Sequence, residues 1–127
     1  MSHSKTILIM AGGTGGHIMP GLAVAQVLSD AGHRVAWLGG AGGVDNPSME
    51  SRLVPQHGYE FHAVAFGGVR GKGVQTKLLA PFRLLKAMAQ TRKVYQRVRP
   101  DVVLGMGGYI TVPGGLTAKL MGVPIVL

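Results

Sequence analysis

The sequence predicts an α/β fold, a Rossmann-like parallel sheet with helices on both faces. Three observations carry this. Short, continuously apolar runs recur along the chain, as expected of strands covered on both sides. Stretches of helical periodicity separate them, joined by short connections. Two glycine-rich segments, "GGTGGH" at 12–17 and "GMGGY" at 105–109, follow the first and the fourth apolar run.

Thr6–Met10 (TILIM) is the first strand. After the glycine loop a helix runs from about Ile18 to Asp30, with Pro20 in its first turn and Leu22, Val24, Ala25 and Leu28 as its apolar face. Gly32 supplies its stop. Arg34–Gly39 (RVAWLG) is the second strand. Asn46 is placed to cap a short helix, with Pro47 at its first position and Glu50 near its positive end. Glu60–Phe66 is the third strand, and the basic loop "GGVRGKG" leads into a long helix from about Gln75 to Val98. Val102–Gly105 is the fourth strand, followed by the second glycine loop. A helix from about Gly114 to Met121 and a strand from Pro124 to Leu127 complete the order β-α-β-α-β-α-β-α-β. That order implies right-handed crossovers. The closing "PIVL" reads as a strand entering its functional loop, so the chain is expected to be a fragment that naturally continues.

The 127 residues suffice for one domain with a real core, and the 46% apolar content argues against disorder. The 21 glycines gather at the ends of apolar runs and follow no fixed period, which favours tight functional loops over a fibre. The chain has no cysteine, so disulfides, thiolate catalysis and cysteine-ligated zinc are excluded. Its five acidic residues, Asp30, Asp45, Glu50, Glu60 and Asp101, include no pair that suggests a metal site or a glycosidase dyad. No metal and no cofactor is expected.

The net charge of +8 is unevenly distributed. Nine of the thirteen Lys and Arg residues lie between Arg70 and Arg99, a stretch without one acid. Such a block suits a nucleic acid, a diphosphate or an acidic membrane surface, or is simply a solvated helix face. Within it Leu78, Leu79, Phe82 and Leu85 alternate with Lys77, Arg83 and Lys86. Packing one side of a helix on the sheet does not account for apolar residues spread around most of its circumference. Membrane contact is therefore expected. Nucleic acid is not, since only Tyr95 is near to serve as an aromatic reader. Residues 102–127 carry Lys119 as their only charge, but six glycines and two prolines break them into strand, loop, helix and strand. Lipid could not satisfy the backbone at those breaks, so this is buried core and not a membrane span.

Ligands of open α/β sheets sit beyond the carboxyl ends of the strands, where both glycine loops fall. Glycine lets backbone approach a ligand, and each following helix aims its free N–H groups at an anion. This predicts diphosphate recognition; the alternative is that the glycines only make tight turns. The dinucleotide pattern G-x-G-x-x-G fails, because counting from Gly13 ends on Ile18 and counting from Gly12 meets Thr14. The phosphate-loop pattern fails as well, with Phe66 and Gly73 around Gly71-Lys72 where glycine and Ser or Thr are needed. His17 stands at a helix start, where the dipole keeps imidazole neutral and able to accept a proton. It reads as a general base for an attacking hydroxyl, or else as a structural or ligand contact.

With "GGTGGHIMPGLAVA", "GVRGKG", "RPDVVLGMGGY" and "PGGLTAKLMGVPIVL" together, the chain from about Thr6 to Leu127 resembles the MurG family of bacterial peptidoglycan glycosyltransferases. The resemblance implies the N-terminal, acceptor-binding half of a two-domain GT-B enzyme, residues 1–127, with the "HEQN" segment that follows the last strand, and then the C-terminal donor domain, lying beyond. It implies transfer of N-acetylglucosamine from UDP-N-acetylglucosamine to the C4 hydroxyl of the muramoyl sugar of lipid I, with inversion, giving lipid II. The place implied is the cytoplasmic face of the inner membrane, as a peripheral protein on an anionic surface. By position, Thr14, Gly15 and Gly16 match the residues that touch the UDP-sugar, and His17 matches the proposed base. Gly107, Gly108 and Tyr109 match the loop near the acceptor diphosphate, and residues 77–93 match the membrane patch. The fragment alone is expected to be inactive. The competing reading is a stand-alone, non-catalytic module that binds phosphate or anionic lipid.

Overall fold

A computed structural model describes residues 4–12, 15–40, 48–64, 74–107 and 110–126, with the side chains of 15–17 and 74–80 outside the description. The elements are β1 (Thr6–Ala11), α1 (Gly15–Asp30), β2 (Arg34–Gly40), α2 (Met49–Gln56), β3 (Glu60–Val64), α3 (Val74–Val98), β4 (Val102–Gly107), α4 (Thr111–Met121) and β5 (Ile125–Val126). The nine elements among the described residues follow the expected order. The strands form one parallel sheet in the order β3-β2-β1-β4-β5.

Successive residues of a strand point to opposite faces, and β1 buries both. Ile7, Ile9 and Ala11 pack with Val35 and Trp37 of β2 against Ile18, Leu22 and Ala25 of α1 and Val54 of α2. Leu8 and Met10 pack with Ala36 and Leu38 against Ala87, Tyr95 and Val98 of α3 and Ala118 of α4. The chain steps outward from β1 to β3 with helices on one face. It then crosses to β4 and β5 with helices on the other. Crossovers of one hand, run in opposite directions along a sheet, give this two-faced arrangement.

Several boundaries differ from the sequence reading, most by one residue and some by more. Helix α1 begins at Gly15 and not near Ile18, and α4 begins at Thr111 and not near Gly114. Strand β4 runs on to Gly107, because its pairing with β1 continues past Gly105 after a register shift. Strand β3 is described to Val64, and Phe66 lies outside the described residues. The cap of α2 is also corrected. Ser48, not Asn46, is its N-cap: Ser48 Oγ accepts the Ser51 N–H at 3.1 Å and donates to the Gly40 carbonyl. Serine here both caps α2 and ties it to the exit of β2. Asn46 and Pro47 lie outside the described residues. Gly32, at φ 92°, closes α1 as expected.

Candidate functional site: the rim beyond β1 and β4

The strand order reverses direction between β1 and β4, and such a switch point is where open α/β sheets take their ligands. Ala11 and Gly107, the last residues of these strands, are register partners. Residues 12–14 lead from Ala11 to the head of α1, and residues 108–110 lead from Gly107 to the head of α4. Two helix N-termini therefore start from neighbouring strands at one edge. First-turn N–H groups have no acceptor within their helix, and the summed peptide dipoles put partial positive charge there. At α4 the N-cap residue is Ile110, which makes no side-chain cap hydrogen bond. The arrangement suits an anion held by backbone amides.

The sequence-predicted residues fall on this rim to different extents. Gly15, Gly16 and His17 are the first three residues of α1, and the His17 side chain lies outside the described residues. Gly107 ends β4 at φ 114°, a conformation that favours glycine. Thr14, Gly108 and Tyr109 lie outside the described residues. Pro20 is the sixth residue of α1, so the Gly16 carbonyl receives no N–H from it.

Three buried side chains that the sequence did not connect with the rim support it. Trp37 Nε1 donates to the Ala11 carbonyl at 3.0 Å, fixing the end of β1. The Tyr95 hydroxyl, on α3, donates to the Gly114 carbonyl of α4 at 2.8 Å. Burial pushes the Tyr95 phenol upward, so it stays a neutral donor. Glu50, with 0% exposure, sets its carboxylate against Gly12, Gly39 and Gly40, and its Oε1 accepts the Gly40 N–H at 3.2 Å. One signal was available: this is an acid in a five-acid chain, placed just after a glycine-rich strand exit.

Away from the rim, α3 turns Ala87, Thr91, Tyr95 and Val98 to the core. On its outer side Phe82 is 68% and Leu85 63% exposed, beside exposed Arg83 and Lys86. Lys77, Leu78 and Leu79 lie on the same helix, with side chains outside the description. Among the described residues no helix is long and apolar enough to cross a membrane, and no three His, Asp or Glu residues gather as a metal site.

Fold and rim together define an anion-binding, Rossmann-like class of α/β domain. The chain belongs to glycosyltransferase family 28: the profile of that family's N-terminal domain matches residues 7–127. It is 57% identical over 127 residues, all of this chain and 35% of the relative, to a protein of Polaromonas naphthalenivorans (strain CJ2). A relative from Dechloromonas aromatica (strain RCB) is 60% identical over 124 residues, 98% of this chain and 34% of the relative. Both are named UDP-N-acetylglucosamine--N-acetylmuramyl-(pentapeptide) pyrophosphoryl-undecaprenol N-acetylglucosamine transferase. The crystal structure of Acinetobacter baumannii MurG matches with a TM-score of 0.79 and 42% identity, over 95% of this chain and 34% of that one. The chain thus spans about a third of the length of the curated relatives it matches.

Proposed function

We propose that this chain is the acceptor-side domain of an inverting transferase. The enzyme moves N-acetylglucosamine from UDP-N-acetylglucosamine to the C4 hydroxyl of the muramoyl sugar of lipid I, forming lipid II. The names borne by relatives above 55% identity support the reaction. The observation that carries the reading is the register pair Ala11 and Gly107, which sets two amide-bearing helix starts side by side. One start, Gly15 and Gly16 with Thr14 before it, faces the donor diphosphate. The other, following Gly107, Gly108 and Tyr109, holds the acceptor diphosphate.

His17 takes the proton from the C4 hydroxyl as that oxygen attacks the anomeric carbon opposite the departing group. The bond from the anomeric carbon to UDP breaks, configuration inverts, and the charge growing on UDP is met by amides and the helix dipole. The domain works as a peripheral protein on the anionic cytoplasmic surface of the inner membrane. Phe82 and Leu85 enter the interface there while Lys77, Arg83 and Lys86 meet headgroups, an arrangement that the exposure of Phe82, Leu85, Arg83 and Lys86 supports.

The test joins this chain to the remaining C-terminal part of the Polaromonas naphthalenivorans relative and follows sugar transfer to a lipid I analogue. In that hybrid His17→Ala should lower kcat by about 10²–10⁴-fold. A rate near that of the native hybrid eliminates His17 as the base.

A further inference from the structure

We propose that Glu50 is a positioning residue for the first glycine loop, an inference that rests on the transferase reading above. A carboxylate with no exposure is an expensive choice for filling space, since an apolar side chain of similar volume carries no desolvation penalty. Its surroundings give the charge a use. Oε1 accepts the Gly40 N–H at 3.2 Å, while Ser48, two residues earlier, donates to the Gly40 carbonyl. Both backbone groups of Gly40, at the exit of β2, are thus held by the start of α2.

From that anchored base the carboxylate reaches the exit of β1. A Cβ on Gly12 would lie 2.7 Å from Oε1 and 3.2 Å from the carboxyl carbon, and a Cβ on Gly39 would lie 2.6 Å from Cγ. This close approach is what favours glycine at 12, since its backbone is not in the left-handed region. Gly12 precedes the head of α1 by three residues. The height at which Glu50 holds Gly12 therefore sets where the Gly15–His17 turn meets its substrate. Glu50 acts through the loop and touches no reacting atom.

The experiment has two arms. In the hybrid enzyme, Gly12→Ala should lower kcat about tenfold, because small misplacements of a reacting geometry have large effects on rate. The acceptor KM should stay within about twofold, since the second loop is untouched. Glu50→Ala clears the space the new methyl needs, so the double variant should be several-fold faster than the product of the two single effects requires. A structural role alone predicts a lower melting temperature with unchanged kcat per folded molecule, and independent effects of the two substitutions. Either result overturns the proposal.

The second arm uses the 127-residue chain without substrate. Glu50→Gln keeps the shape and removes the charge, and it should move the amide resonances of Gly12, Gly15, Gly16 and Gly40 while sparing those of α3. Resonances of Gly12, Gly15 and Gly16 that stay in place overturn the proposal. If the native hybrid transfers no sugar, the transferase reading fails, and this arm still decides whether Glu50 holds the loop.

Discussion

Ala11 on β1 and Gly107 on β4 are parallel register partners, reached after a shift between Met10 and Ala11. The shift lets the two strands end level although their approach is offset. Both following helices then start at the same rim of the sheet. Trp37 pins the Ala11 carbonyl from one face, and on the other Tyr95 pins the first α-helical turn after Gly107 through Gly114. The rim is held from both cores.

The Tyr95–Gly114 bond should be measurable. Tyr95→Phe removes a buried donor at 2.8 Å from a carbonyl, which corresponds to about 1–2 kcal/mol of stability. In urea the midpoint should fall with the slope unchanged. The folded phenol's pKa lies above the unfolded value, so its contribution is complete below about pH 10 and is lost as pH rises further. The gap between wild type and Tyr95→Phe should therefore narrow above that pH. A constant gap up to pH 11 would refute the assignment.

Gly114 is the tightest glycine contact among the described residues. A Cβ there would overlap Met10 Sδ and stand 3.3 Å from Leu38 Cδ2, inside the core between β1, β2 and α4. Gly114→Ala should destabilise by about 1–3 kcal/mol, the usual effect of overpacking. Met10→Ala in the same chain should relieve part of that. Strict additivity of the two changes in chemical denaturation would show that the methyl does not meet Met10.

Much of this architecture was legible in the residues, and the misses share one cause. Continuous apolar runs such as TILIM marked the strands, and the alternation of period marked the helices. Both glycine-loop helices were started three residues late. Gly15 and Gly16, and Thr111, Val112 and Pro113, are poor helix formers. First-turn positions need no N–H bond of their own, and packing on the sheet overrides propensity there. Strand order and the partners of Glu50 depend on contacts distant in sequence, which periodicity does not encode. Asn46 and Ser48 are both good cap residues by type, and the bonds that make Ser48 the cap, to the Ser51 N–H and the Gly40 carbonyl, come from the fold. At the candidate site, residue types and spacing were readable, but the neighbouring exits of β1 and β4 required the fold.

At the sheet edge, Glu60 receives a hydrogen bond from His62 at 2.7 Å and from Arg34 at 2.9 Å, and these hold its carboxyl below the ordinary value. A lowered folded value means stabilisation present above about pH 4.5 and lost as pH falls through the folded value. The carboxylate is 40% exposed, and surface pairs of this kind contribute about 0–1 kcal/mol. Glu60→Gln should therefore slightly lower the melting temperature at pH 7 and shrink the loss between pH 7 and pH 3. An undiminished acid loss would assign it to other carboxylates.

Phe82 and Leu85 project from α3 on the side opposite Ala87 and Tyr95, so the sheet does not explain them. Vesicles separate the two remaining explanations, a solvated face and a membrane-surface element. On mixed anionic and neutral lipid at low salt, the native chain should co-sediment. Phe82→Ser with Leu85→Ser should abolish most of that, because two large side chains would no longer leave water for the interface. Arg83→Gln with Lys86→Gln should weaken binding to anionic vesicles and reduce its dependence on salt, while having little effect on neutral ones. None of the four side chains belongs to the described core, so all variants should melt near wild type. Equal co-sedimentation of the native chain and the serine pair would return this face to solvent and remove the membrane from the proposed function.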